Sequence, residues 1–77
     1  MITPAQIRAA RALIGWKQVD VAKAAGVSEM SVKNIERGAT DPRISTMSAI
    51  QRALESAGVI FVAENGEGPG VRLRKAR

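Results

Sequence analysis

The sequence predicts a mainly α fold, a bundle of four short helices closed by a C-terminal β-hairpin. Three observations carry this. Apolar residues recur at helical spacing in four separate stretches up to Gly58, a glycine follows each of these stretches, and from Val59 the pattern changes to alternation suited to strands. The middle two stretches are too short to stand alone. Joined by a tight turn at Gly26, they read as a helix-turn-helix.

The first helix opens with Thr3 as its cap, Pro4 at the first helical position and Gln6 three residues after the cap, which is capping-box chemistry. It runs to about Ile14, with Ile7, Ala10, Leu13 and Ile14 as the expected buried stripe and Gly15 as terminator. Gln18 opens the second helix, in which Val21, Ala22 and Ala25 form the apolar face. Gly26 supplies the positive φ that the turn needs, and Ala22 the small side chain where two helices come close. Ser28 caps a third helix, about Ser28 to Arg37, whose inward face is Val32 and Ile35. Gly38 stops it. The loop Ala39-Thr40-Asp41-Pro42-Arg43 follows, and Ser45 is the expected cap of a fourth helix with Met47, Ile50, Ala53, Leu54 and Ala57 inward and Gly58 at its end.

Val59-Ile-Phe-Val-Ala63 is apolar and rich in β-branched side chains, Glu64 to Gly70 is full of turn formers, and Val71 to Lys75 alternates apolar with basic residues. A hairpin is the expectation. Its first strand is apolar on both sides, Val59, Phe61 and Ala63 on one and Ile60 and Val62 on the other, so one face covers the helices and the other face, or the open edge, needs a partner. A second copy of the same hairpin is the simplest one. The expected division is therefore 1–58 for the helical domain and 59–77 for the hairpin, with Val59, Ile60, Phe61, Val62, Val71 and Leu73 as the dimer interface.

Composition narrows the chemistry. In 77 residues there is no Cys and no His, which removes disulfides, thiolate metal sites, the commonest metal ligand and the commonest general base. No metal, no cofactor and no catalytic site are expected. No glycine-rich segment follows a strand and opens a helix as a phosphate loop must, since glycines 66, 68 and 70 belong to the hairpin turn. An enzyme is thus the weakest function class. Arg8 and Arg11 interrupt the first apolar stretch, so neither a signal peptide nor a membrane span is expected, and the cytoplasm is the expected location.

The net charge of +5 is unevenly spread: four of the twelve basic residues, Arg72, Arg74, Lys75 and Arg77, lie in the last seven positions, leaving eight against seven acidic residues before them. The helical body is nearly neutral. A role in binding nucleic acid must therefore be argued from position rather than bulk charge. The tail itself reads in three ways, as a contact to adjacent phosphates or a minor groove, as protection of an edge strand, or as a surface for an acidic partner.

Residues 6 to 57 resemble the Cro/phage-repressor class of helix-turn-helix domains, often called Xre-like. The matching marks are Gln18, Ala22, Gly26, Val27, Val32 and Ile35, the run Ile-Glu-Arg-Gly at 35–38, and Pro42 before the fourth helix. The resemblance implies a bundle that binds DNA as a two-fold homodimer, in a bacterial or phage setting. Family members often continue into a fifth helix, where this chain has its hairpin. Carried over residue by residue, the likeness turns Glu29, Met30, Lys33 and Asn34 toward base edges in the major groove: Lys33 to guanine, Asn34 to adenine, Glu29 to cytosine and Met30 to a thymine methyl. Gln18, Ser28, Ser31, Arg37, Arg43 and Thr46 would grip phosphates at the rim.

Plainer roles compete with some of these. Glu29 and Lys33 have the spacing of a helix-surface ion pair, and Lys33 and Arg37 that of a repulsive one. Ser28 is a cap first. Trp16 reads as a packing residue against the first helix, and Glu36 as the internal partner of a basic side chain, because a carboxylate repels phosphate. Two function classes survive beside the enzyme: a sequence-specific transcriptional regulator on an inverted-repeat operator, and an antitoxin or anti-activator that works through a protein partner.

Overall fold

The computed structural model describes residues 1–39 and 41–75, so the expectations for Thr40 and for Arg77 lie outside the described residues. Four helices, α1 (Pro4–Ile14), α2 (Gln18–Ala25), α3 (Glu29–Glu36) and α4 (Ile44–Ser56), precede strands β1 (Val59–Val62) and β2 (Gly70–Leu73). The mainly α bundle with a C-terminal hairpin is the observed fold.

Local chemistry sets most of the boundaries. Thr3 Oγ1 accepts from the Gln6 amide at 3.1 Å and Gln6 Oε1 from the Thr3 amide at 2.8 Å, completing the capping box of α1. Gly15 ends the helix in the left-handed region at φ 67°. Gly26 does the same for α2 at φ 72°, and the Gly26 and Val27 amides both return to the Ala22 carbonyl, which reverses the chain within two residues. Ser28 Oγ accepts from the Ser31 amide at 3.0 Å and starts α3. α2 packs on both α3 and α4.

Two local expectations are corrected. Ser45 does not cap α4: the extended residue before the helix is Arg43, which makes no side-chain cap, and Ser45 already lies inside the first turn. A cap needs non-helical backbone, and here that position falls directly after Pro42. Leu13 is not part of the buried stripe but 40% exposed. It lies two turns beyond Gln6 on the same side of α1, past the point where Gln6 is bonded to the hairpin.

The core is Ile7, Ala10, Val21, Val32, Ile50, Leu54 and Val59, all essentially inaccessible, with Ile2, Ala22, Ile35 and Met47 around them. The strands pair antiparallel, with Val59 opposite Leu73, Ile60 opposite Arg72, Phe61 opposite Val71 and Val62 opposite Gly70. Side chains of opposed residues share a face. Val59, Phe61 and Val71 therefore face the helices together and pack on the core, while Ile60, Val62 and Arg72 point away from it. The turn is held by Glu64, whose carboxylate accepts from the Gly66 and Gly68 amides at 2.8 and 2.9 Å.

Gln6 does more than cap. It is buried, and its Nε2 donates to the carbonyls of Val62 and Gly70 at 3.3 and 2.9 Å, fastening the loop end of the hairpin to the first turn of α1. One side chain thus links the helix start to residues 56 and 64 positions away. Gln6→Ala is expected to cost about 1–3 kcal/mol, the range for losing hydrogen bonds to buried groups, in urea denaturation followed by circular dichroism. A loss below about 0.5 kcal/mol would show that these bonds add nothing net.

Candidate nucleic-acid interface

α3 is a two-faced helix. Val32, Ile35 and Glu36 are buried; Met30 and Lys33 are exposed and Asn34 half-buried on the side turned away from them, and Glu29 is exposed at the flank, where the helix starts. Met30 is 60% exposed, which is a large apolar surface to leave in water without a partner. The four residues expected to read bases thus lie on the accessible side of α3.

The buried face is held by charge as well as by packing. Glu36 accepts from Arg11 Nε at 2.7 Å and Nη2 at 2.8 Å in a two-pronged pair, and from Gln18 Nε2 at 3.1 Å. Arg8 donates to the Glu36 backbone carbonyl, and Arg11 Nη1 to the Trp16 carbonyl at 3.2 Å. α1, the start of α2 and the end of α3 therefore meet at one carboxylate. The expectation of an internal partner for Glu36 is met by Arg11. Gln18, expected at a phosphate, sits in this network with its amide on Glu36. Trp16 is half-buried against the core and borders α2 and α4.

The exposed polar groups are partly paired. Lys33 Nζ lies 3.5 Å from Glu29 Oε2, so the attractive surface pair forms. Arg37 turns to donate to Asn34 Oδ1 at 2.9 Å, away from the repulsive spacing with Lys33. The Ser28 hydroxyl donates to Ser31 Oγ at 2.8 Å. A shallow polar cleft runs from α3 to the start of α4, lined by Ser31, Asn34, Asp41, Arg43 and Thr46. Four residues named from the sequence, one of them a base reader, thus border one groove. The α4 end of that groove has no acidic residue in the helix's first turn and no side-chain cap.

A family model described as helix-turn-helix matches residues 7–57. The chain belongs to this family, the Cro/C1-type, Xre-like helix-turn-helix proteins. No curated protein matches the chain. Membership makes the protein a DNA-binding helix-turn-helix regulator and makes α3 its recognition helix. The match ends at Ala57, before the hairpin begins. Among the described residues no helix is long and apolar enough to cross a membrane.

The sequence reading missed two features here. Gln18 was read outward because its position matches a family mark, and only the fold brings Glu36 beneath it. The Asn34 to Arg37 bond follows from i,i+3 spacing and was legible in principle. Glu36→Ala leaves Arg11 without its partner in a site where the carboxylate is 3% exposed. The expected cost is about 3 kcal/mol in thermal or urea unfolding, the low end for breaking a buried pair because Arg11 keeps some solvent.

Proposed function

We propose that this helix-turn-helix regulator binds an inverted-repeat operator as a homodimer and controls transcription through occupancy of that site. The observation that carries the reading is the accessible side of α3, where Met30, Lys33 and Asn34 turn away from the face locked by Glu36 and Glu29 stands exposed at the flank. In a two-fold dimer the two recognition helices enter successive major-groove turns about 34–36 Å apart. Lys33 then donates to guanine, Asn34 to adenine, Glu29 accepts from cytosine and Met30 packs on a thymine methyl.

The rim residues fix the register. Ser28 and Ser31 at the start of α3, Arg37 at its end, and Arg43 and Thr46 at the start of α4 contact phosphates, and Gln18 at the start of α2 joins them with the amide hydrogen that Glu36 does not take. The side-chain pairs seen without DNA exchange partners on binding. Arg37 releases the Asn34 carbonyl oxygen to meet a phosphate, which leaves the Asn34 amide free for adenine. The hairpin residues Val59, Ile60, Phe61, Val62, Val71 and Leu73 join the two subunits. A role through a protein partner, as an antitoxin or anti-activator, draws on the same hairpin, and no observation favours it over the homodimer.

Footprinting of the purified protein on the DNA upstream of its own gene is expected to protect two symmetric half-sites. Lys33→Ala and Asn34→Ala each weaken protection by about 1–3 kcal/mol and relax the sequence preference at one base pair. No protection at low salt would remove the reading. The tail is tested separately, by measuring operator affinity against salt for a chain ending at Val71. A slope unchanged from the full chain assigns Arg72, Arg74, Lys75 and Arg77 to edge protection, and a slope reduced by about one per lost phosphate contact assigns them to DNA.

A further inference from the structure

The two-stranded sheet leaves one edge of each strand unpaired, and the register shows which backbone groups lie there. The Arg74 amide donates to the Gly58 carbonyl at 2.7 Å, so every second pair from there, Ile60 with Arg72 and Val62 with Gly70, exchanges its bonds inward. Val59, Phe61, Val71 and Leu73 lie between, with their amides and carbonyls aimed outward. Among the described residues none of those outward groups has a backbone partner outside the hairpin ladder.

We propose that the β1 edge pairs antiparallel with the β1 edge of a second copy of this chain, across a two-fold axis at Phe61, to form a four-stranded intermolecular sheet. The proposal rests on the homodimer reading and names its contact. Charge selects the edge. β1 has no ionisable side chain, whereas β2 and its continuation carry Arg72, Arg74 and Lys75, all exposed. Two β2 edges related by a two-fold axis would set these like charges against one another, and basic residues are a common guard against edge pairing.

Apolar surface points the same way. A groove beside the end of β1 is lined by the apolar Met1, Ile2, Phe61, Val62 and Ala63 together with polar residues that include Glu64, and Met1 is 82% exposed. No β2 strand residue lines it. On the face away from the core, Ile60 and Val62 keep part of their surface in water, and a second β1 extends that face with more of the same. A four-stranded sheet also escapes the marginal stability of an isolated hairpin.

The register follows from which groups are free. Only Val59, Phe61 and their continuation at Ala63 present outward bonds on this side, so the axis falls on Phe61 or on Ile60. At Phe61, Val59 meets the partner's Ala63, and Ile60 meets the partner's Val62 side by side on the outer face. At Ile60, Val62 would meet the partner's Gly58 and Ala63 would pass beyond the pairing. The first arrangement uses the whole apolar run.

Ile60 opposite the partner's Val62 is a non-hydrogen-bonded pair, the kind that brings backbones within disulfide reach. The chain has no cysteine of its own. The test is a full-length chain carrying Ile60→Cys and Val62→Cys, oxidised and run on a non-reducing gel, beside Arg72→Cys and with wild-type protein in sedimentation. The expected result is a wild-type dimer, near-complete covalent dimer for the double variant and monomer for Arg72→Cys on the gel. Both substitutions lie away from the core, and circular dichroism checks that each variant is folded; should the double variant not fold, Ile60→Cys mixed with Val62→Cys repeats the test with one change per chain. A wild-type dimer with no such cross-link, or with Arg72→Cys linking instead, overturns the β1 edge and leaves the homodimer standing. A wild-type monomer at concentrations that saturate the operator overturns both.

Discussion

The Glu36 carboxylate is the constraint on which the rest of the molecule depends. A helix of eight residues is too short to hold its own orientation, and in the proposed reading α3 must nevertheless present four side chains at fixed angles to a groove. Val32 and Ile35 supply burial but only along one stripe, and apolar contact is non-directional. The two-pronged pair to Arg11 and the bond from Gln18 are directional, and they come from two other helices. Packing places α3 and the carboxylate fixes its rotation.

Gln6 plays the corresponding part for the hairpin. Its amide joins the cap of α1 to both strands, so the sheet cannot swing without disturbing the helix start. Glu36 ties α1 to the recognition helix, and Gln6 ties α1 to the hairpin. α1 is therefore the strut between them. If the hairpin sets the distance between two subunits, that distance reaches α3 through one helix and two buried polar side chains, each with all its buried polar atoms satisfied.

The boundaries of α1, α2 and α3 were legible because they are local: Thr3 and Gln6 meet three residues apart, Gly26 adopts its own φ, and Ser28 reaches Ser31. The outward set on α3 was legible in part for the same reason, since helical periodicity turns Met30, Lys33 and Asn34 away from Val32 and Ile35, while Glu29 lies at the flank and is exposed because it starts the helix. Long-range choices were not. Leu13 obeys the apolar period and stays 40% exposed, while its neighbours Arg11 and Ile14 at the same end of α1 are engaged with α3 and with the core. Gln6 breaks the period and is buried because the hairpin reaches the other end. Gln18 faces a carboxylate eighteen positions away that no local pattern places beneath it. Ser45 lost the cap to Arg43 because the helix starts two residues sooner, directly after Pro42, than serine's preference alone would set.

The charge distribution gives this architecture its functional sense. With a nearly neutral body, non-specific attraction to DNA is weak, because that attraction grows with the number of phosphates neutralised. Glu29, if it reads bases as proposed, lowers it further and meets repulsion wherever no cytosine amino group waits. Weak background binding and a penalty for wrong sequence both raise the ratio of specific to non-specific affinity, at the cost of strength per subunit. Joining two subunits recovers that strength without adding positive charge, since the second reading head engages at a high effective concentration. The proposed hairpin sheet and the neutral body are then two parts of one solution, in which affinity is supplied by symmetry and discrimination by a few side chains on α3.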